Sequence, residues 1–355
     1  MSFAITVNGR SVEASGDETV LAAARRIGVE IPTLCDDARL DPMGCCRMCL
    51  VELDGQRRLQ PACTWKATPD LQVTTESERI ARHRRTLLEM YLADHAPEPP
   101  AGPFAPRNEL LELSARYGAE RRFHPAHAQR EAREDSNPYI DFDPSLCIAC
   151  ARCVRYCDEV EAVSAITLAG RGSRTTIATA GQIGLLDSTC ELCGGCVDTC
   201  PTGAMREKKP LARVLRDART VATVRTTCNF CGVGCQLDLH VADGEVVRVS
   251  SPAPGETLND GNLCIKGRFA YDFIHHEERL TKPLVRGADG ELHEATWEVA
   301  LQKAAEGLLG VKQRHGADAL GFISSSRCTG EENYLVQKLA RAAFGTNNCH
   351  QCAAT

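Results

Sequence analysis

The chain has 355 residues, room for two or three average domains, and a formal net charge of −6, which offers no basic field for nucleic acid. Aromatic residues make up 5%, thin for several large cores, whereas cysteine occurs 20 times. The N-terminal stretch MSFAITVNGRSVEASGDET lacks a basic region followed by an apolar one, and no run of 18 apolar residues occurs, so neither a signal peptide nor a membrane span is expected. The cysteines are therefore expected in a reducing, cytoplasmic setting, where closely spaced thiolates bind metal more often than each other.

Residues 1–80 read as a small sheet-and-helix domain. Phe3, Ile5 and Val7 alternate, Asn8-Gly9 makes a hairpin turn, and Val12 and Ala14 continue on the return strand. Asp17 is placed to cap a helix carrying Val20, Ala24 and Ile27 and closed by Gly28. A second helix is expected over about 76–93, with Ile80, Leu87, Leu88 and Tyr91 on one stripe. APEPPAGPFAP at 96–106 suits neither helix nor central strand and reads as an extended linker. A short helix around 107–117 follows, then a polar, charged stretch at 119–138 whose composition suits a mobile segment. Cysteines crowd 147–200. In the next unit QLDLHVADGEVVRVS alternates about an Asp243-Gly244 turn. From about 296, WEVALQKAAEGLLGVKQRHG, ALGFISSS and a further helix alternate as at the start of an α/β domain.

The block 147–200 holds CIACARCVRYCD and CELCGGCVDTCP, each C-x2-C-x2-C-x3-C, with Pro201 after the second. This is the run that binds two [4Fe-4S] cubes. Three close thiolates wrap one cube, and the fourth, on a helix leading away, ligates the other. The expected sets are Cys147, Cys150, Cys153 and Cys200 for one cube, and Cys190, Cys193, Cys196 and Cys157 for the other. Zinc usually takes two separated pairs, and two tandem quartets weigh against both zinc and disulfides. In the first domain Cys35, Cys46, Cys49 and Cys63 space as C-x10-C-x2-C-x13-C and suit a [2Fe-2S] cluster, with Gly44 letting backbone approach the sulfurs. A four-cysteine zinc site has the same spacing. Cys45 is expected to point elsewhere as a bystander. Cys228, Cys231, Cys235 and Cys264 suit a third [4Fe-4S] cluster or a zinc ribbon, although a ribbon would more usually show a second C-x2-C pair.

Cluster order, spacing and the phrases GCCRMCLVEL, CGVGCQLDLHV and LCIKGR resemble the catalytic subunit of molybdenum- or tungsten-dependent formate dehydrogenases of the NAD-linked, cytoplasmic kind. The resemblance spans essentially the whole chain and implies an α+β multidomain protein. It implies a β-grasp [2Fe-2S] domain (1–80), a degenerate histidine-ligated cluster region with the Pro-rich linker (81–120), a two-[4Fe-4S] ferredoxin domain (138–210), a [4Fe-4S] unit (221–277) and the start of a molybdopterin oxidoreductase domain (278–355). SSSRCTGEENYLVQKLARAAFGTNN resembles the opening of that last domain. Lys266 matches a lysine that lies between cluster and pterin, which implies a bridge in the electron path. The implied cofactors are one [2Fe-2S], three [4Fe-4S] and a Mo or W bis-pterin guanine dinucleotide. The implied partner is a flavoprotein, iron-sulfur subunit that reduces NAD.

One segment departs from the resemblance. Relatives carry a further cluster held by a histidine and three cysteines. Here His95 remains, but the cysteine positions fall on Pro99, Gly102 and Asn108. One imidazole cannot hold a cluster, so His95 is expected to be a relic or a surface histidine. The resemblance also implies that Cys352 stands four residues before a metal-ligating selenocysteine. The residue after Thr355 is thus expected to be encoded by UGA, with an open frame beyond. The functional expectation is electron transfer from formate oxidation to the NAD-reducing partner. The cluster-bearing subunits of respiratory NADH dehydrogenase and of hydrogenases, and a stand-alone electron carrier, are the alternatives.

Overall fold

The structure, a computed structural model, describes residues 2–96, 107–123, 130, 135–208 and 221–352. Most of the Pro-rich stretch, with Pro99 and Gly102, and much of 119–138 lie outside the described residues. The chain folds as two units, 1–221 and 222–355, with mixed α and β structure in each.

The first unit opens on β1 (Ser2–Val7) and β2 (Arg10–Ser15), an antiparallel hairpin turning at Asn8 and Gly9, both at positive φ (49° and 78°). With β3 (Leu50–Leu53), β4 (Gln60–Pro61) and β5 (Gln72–Thr74) they form a five-stranded sheet ordered β2-β1-β5-β3-β4, in which β1 and β5 run parallel. The inward residues Ile5, Val7, Val12 and Val51 pack with Val20 and Ala24 of α1 (Val20–Arg26) in one core. The cap of α1 is Thr19, whose Oγ1 accepts from Ala22 N at 3.2 Å, rather than the expected Asp17. Thr19 bridges Lys66 and Val20 N donates to Trp65 O, so the backbone stays extended through residue 19 and the helix starts later than propensity alone suggests.

Helices α2 (Glu78–Asp94) and α3 (Glu109–Tyr117) cover the cysteine loop of this domain: Leu88, Leu92, Leu110 and Leu113 bury against Leu34, Cys35, Cys46 and Met48. Buried Arg84 of α2 donates to Met48 O and Leu50 O, both at 3.1 Å, and to Glu76 and Tyr117. Strand β3 and the cysteine loop are thereby tied to one helix.

The cysteine-rich block forms two short antiparallel pairs, Ile140–Phe142 with Met205–Glu207 and Ile166–Ala169 with Thr176–Thr179. Between them lie α4 (Arg152–Arg155), which continues as a π turn over Tyr156–Val160, and α5 (Gly195–Asp198). Cys157 sits on that π turn. Cys200 instead follows α5 in a loop.

In the second unit, Ala222–Thr227, Gln236–Ala242 and Glu245–Ser250 make an antiparallel sheet with the expected turn at Asp243 and Gly244. After the long helix Trp297–His315, the strands Phe322–Ser325 and Cys349–Cys352 pair in parallel, and the helix Gly330–Lys338 lies between them in sequence. That is one βαβ step of an α/β sheet.

Candidate iron-sulfur centres

Cys35, Cys46, Cys49 and Cys63 are all buried under α2 and α3 or in the sheet core. They stand as two pairs. The Cys35 and Cys46 thiols hydrogen-bond each other, and Cys49 Sγ lies 3.3 Å from Cys63 Sγ. A [2Fe-2S] cluster needs two thiolates on each iron, and two pairs supply that donor set. Gly44 has φ +67°, and a Cβ there would meet Thr64 Cγ2 at 3.1 Å and Cys63 Sγ at 3.9 Å, so backbone approaches the site closely. Cys45 does not point elsewhere as expected. Its thiol contacts Cys35 and lies 3.5 Å from Cys150 O, because the turn through Gly44 and Arg47, both at positive φ, leaves adjacent side chains on the same side of the loop.

Among the described residues of the ferredoxin-like block, two cavities gather cysteines. One is lined in part by Cys147, Cys150, Cys153 and Cys200. The other is lined in part by Cys157, Cys190, Cys193 and Cys196. Each thus gathers three cysteines of one run and the fourth of the other. Backbone N–H groups donate to the sulfurs: Ala149 to Cys147 (3.4 Å), Ala165 to Cys157 (3.2 Å), Leu192 to Cys190 (3.3 Å), Gly195 to Cys193 (3.5 Å) and Met205 to Cys200 (3.5 Å). Burial pushes the Cys150 thiol up to about 12 and raises the Cys153 thiol well above its ordinary value. Such groups stay protonated unless a metal takes the sulfur, so loading releases protons. Arg152 Nε and Arg155 Nε are buried without a hydrogen-bond partner. Sulfur-rich donor sets, N–H groups aimed at sulfur and orphaned cationic donors all fit iron–sulfur clusters.

The [2Fe-2S] loop and the ferredoxin-like block are joined by polar contacts. Arg155 donates to Cys35 O and Asp41 O, Thr199 Oγ1 donates to Asp37 Oδ2 at 3.0 Å, and Asp41 N donates to Glu159 Oε2 at 2.7 Å. Burial raises the Asp37 carboxyl, but the Arg39 guanidinium and the Thr199 hydroxyl outweigh it and hold the group at about 2. The Cys35–Cys46 site and the Cys147–Cys200 site thus adjoin, with the Cys45 thiol donating to the Cys150 carbonyl and Ile148 packed against the apolar core that holds Cys35 and Cys46. Tyr156, fully buried, lines the cavity of Cys157, Cys190, Cys193 and Cys196. A Cβ on Gly195 would stand 1.8 Å from its ring.

His95 is 2% exposed, which corrects the surface alternative. Its Nδ1 donates to Ala96 O at 2.8 Å and its Nε2 accepts from Asn108 Nδ2 at 3.1 Å. Burial holds its pKa below the ordinary value. Asn108, at a position where relatives of the resembled family carry a cysteine, also caps α3 through Leu111 N (3.2 Å) and donates to Thr202 O (3.3 Å). A polar network stands where a cluster ligand would.

In the second unit Cys228, Cys231, Cys235 and Cys264 lie within electrostatic range of one another, and Cys228 N donates to Cys235 O at 2.8 Å. Gly232 N donates to Ser326 O at 2.7 Å, which ties this loop to the end of the Phe322–Ser325 strand. Lys266 is exposed on the short helix Ile265–Phe269, just past Cys264. The arginines beside the cysteines, Arg152 and Arg155, escaped the sequence reading. The repeated basic residue inside CARCVRYC was the available signal.

Four family profiles match the chain: a 2Fe-2S iron-sulfur cluster binding domain at 1–78, the ferredoxin-like domain of NADH-quinone oxidoreductase subunit 3 at 137–206, the molybdopterin oxidoreductase Fe4S4 domain at 221–276, and molybdopterin oxidoreductase at 279–355. The chain is 37% identical over 344 residues to the NADPH-Fe(3+) oxidoreductase subunit alpha of Geobacter sulfurreducens, covering 97% of this chain and 39% of that one. A Staphylococcus aureus protein provisionally named a formate dehydrogenase is 29% identical over 388 residues, with 98% and 39% covered. The crystal structure of an NAD+-reducing [NiFe]-hydrogenase in the H2-reduced state aligns with TM-score 0.53 and 33% identity over 59% of this chain and 88% of that one. The chain spans about two fifths of the length of these curated relatives. No helix among the described residues is long and apolar enough to cross a membrane.

Proposed function

We propose that this chain belongs to the molybdopterin oxidoreductase family, carries its iron-sulfur electron-transfer domains and conducts electrons from formate to an NAD-reducing partner, a reading that the four profile matches support. Cys35, Cys46, Cys49 and Cys63 would hold a [2Fe-2S] cluster. Cys147, Cys150, Cys153 and Cys200 would hold one [4Fe-4S] cube, and Cys190, Cys193, Cys196 and Cys157 a second. Cys228, Cys231, Cys235 and Cys264 would hold a third. A Mo or W bis-pterin guanine dinucleotide, when bound, would take two electrons from the substrate. Lys266, beside Cys264, would bridge toward it. The partner proposed is a flavoprotein, iron-sulfur subunit in the cytoplasm, and the NAD+-reducing character of the aligned hydrogenase supports its link to NAD.

The observation that carries this reading is the pairing of cysteines around the two cavities, three from one run and one from the other, beside a third four-thiol site. Formate itself is supported by the quoted phrases and by the name of the Staphylococcus relative. Iron and acid-labile sulfide analysis of anaerobically isolated protein tests the clusters, with about 14 iron expected for one [2Fe-2S] and three cubes. Zinc without sulfide would sink the assignment. Adding formate, and in parallel NADPH, tests the donor. Reduction of the cluster signals by formate supports the proposal. Reduction by NADPH alone favours the second reading, that of the Geobacter relative's name.

A further inference from the structure

The start of α3 grips the Cys147–Cys200 site from two sides. Glu109, its first residue, donates its backbone N–H to Pro201 O at 2.7 Å, and Asn108 Nδ2 reaches Thr202 O at 3.3 Å, so the loop just after Cys200 is pinned to the helix end. The Glu109 carboxylate then takes a bidentate pair of bonds from Arg152, at 3.0 and 3.1 Å. Arg152 stands between Cys150 and Cys153 on α4, with 6% of its surface exposed. Its backbone N–H bonds the Cys150 thiol, its guanidinium charge acts on the same sulfur, and its Nη1 reaches Thr199 O at 3.5 Å. Its Nε has no partner.

A buried guanidinium keeps its charge at any working pH, and here the carboxylate bonded to it is that of Glu109, with Asp37 acting on it more weakly. Beside a cluster that gains one electron on reduction, a cation favours the reduced form and an anion the oxidised one. Charge and hydrogen bonding near the sulfurs are among the protein's levers on cluster potential. The low-dielectric surroundings make that lever longer than it is in water.

We propose that the Glu109–Arg152 pair sets the reduction potential of the cluster held by Cys147, Cys150, Cys153 and Cys200, with Glu109 masking part of the Arg152 charge. Glu109 and Arg152 are positioning and tuning residues, not ligands. The inference rests on the ligand assignment above, but not on the identity of the substrate.

The test is an EPR-monitored redox titration of the anaerobically isolated protein, with dithionite as reductant and mediators present. Glu109→Gln unmasks the arginine and should raise the midpoint of this one cluster. A tenfold rise in its reduced-to-oxidised ratio at fixed potential corresponds to about 59 mV for one electron. Arg152→Gln leaves the carboxylate and should lower the same midpoint. The other clusters serve as internal references. If Arg152→Gln fails to load the cluster, Arg152→Lys, which keeps the charge, should hold the midpoint near wild type while Glu109→Gln raises it. Shifts of opposite sign confined to one cubane signal support the proposal. An unshifted midpoint, shifts of the same sign, or equal shifts in every cluster overturn it. Wild-type protein without three cubane signals would instead overturn the ligand assignment.

Discussion

At the scale of single residues, several side chains have one tolerable identity because a neighbour leaves no room or no other partner. Gly195 faces the Tyr156 ring, where an added Cβ would lie 1.8 Å from a ring carbon. Tyr156 is fully buried and cannot swing away. Gly195→Ala should therefore cost about 1–3 kcal/mol or more and reduce iron content. Thermal melts and iron analysis would read it, and a variant with wild-type values on both would contradict the packing. At the thiol pair, Cys46→Ser should abolish the [2Fe-2S] signal and Cys45→Ser should leave it, since Cys46 is buried beside Cys35 and Cys45 is exposed. The reverse outcome in EPR would exchange the two roles. His95 is buried and neutral, accepting from Asn108 and donating to Ala96 O. Its folded pKa lies below the unfolded value near 6.5, so below that pH the unfolded chain binds the extra proton and stability falls. Denaturant midpoints should drop between about pH 6.5 and 5, and His95→Gln should flatten that slope. Equal slopes would show that His95 does not contribute.

Elements matter here chiefly as holders of cysteine loops. α2 reaches the loop through Arg84, which satisfies the carbonyls of Met48 and Leu50 from a fully buried position. Arg84→Met keeps the apolar stem but strands both carbonyls, at a cost of at least about 2 kcal/mol. Urea unfolding should show the loss. It should be larger than for Arg79→Met, whose side chain is part exposed and whose ion pair with Glu52 spans 3.9 Å. The π turn after α4 has a comparable role. By widening at Tyr156–Val160 it places Cys157 among the cysteines of the second run, away from Cys153 of its own. A π turn interrupting a helix is often found at a functional position, and the exchanged fourth cysteine gives a reason for this one.

For the whole molecule, cluster loading and folding should be one event. The cysteine block has only short two-stranded pairs and short helices, too little apolar burial to stand on its own. Reductive iron chelation should expose 135–208 to protease before the helix Trp297–His315 is cut. Unchanged resistance of 135–208 after cluster removal would refute the coupling. The exposed face of that long helix shows the opposite situation. Trp297, Val299, Leu301 and Leu309 are exposed there.

The cysteine groupings around the two cavities were legible in the sequence, because spacing within each run is a local property and the tandem repeat of the run pairs each fourth cysteine with the other run. Hairpins at Asn8-Gly9 and Asp243-Gly244 were legible for the same reason, since positive φ selects those residues. Helix starts were less legible. Thr19 rather than Asp17 caps α1 because strand pairing from distant residues keeps the chain extended. The contact of Cys45 with Cys150, the burial of His95 against Asn108 and the Glu109–Arg152 pair were decided by tertiary structure alone. Each joins residues far apart in the chain, or depends on the shape of a docked surface, and burial turns those meetings into charge and hydrogen-bond effects that no local spacing encodes.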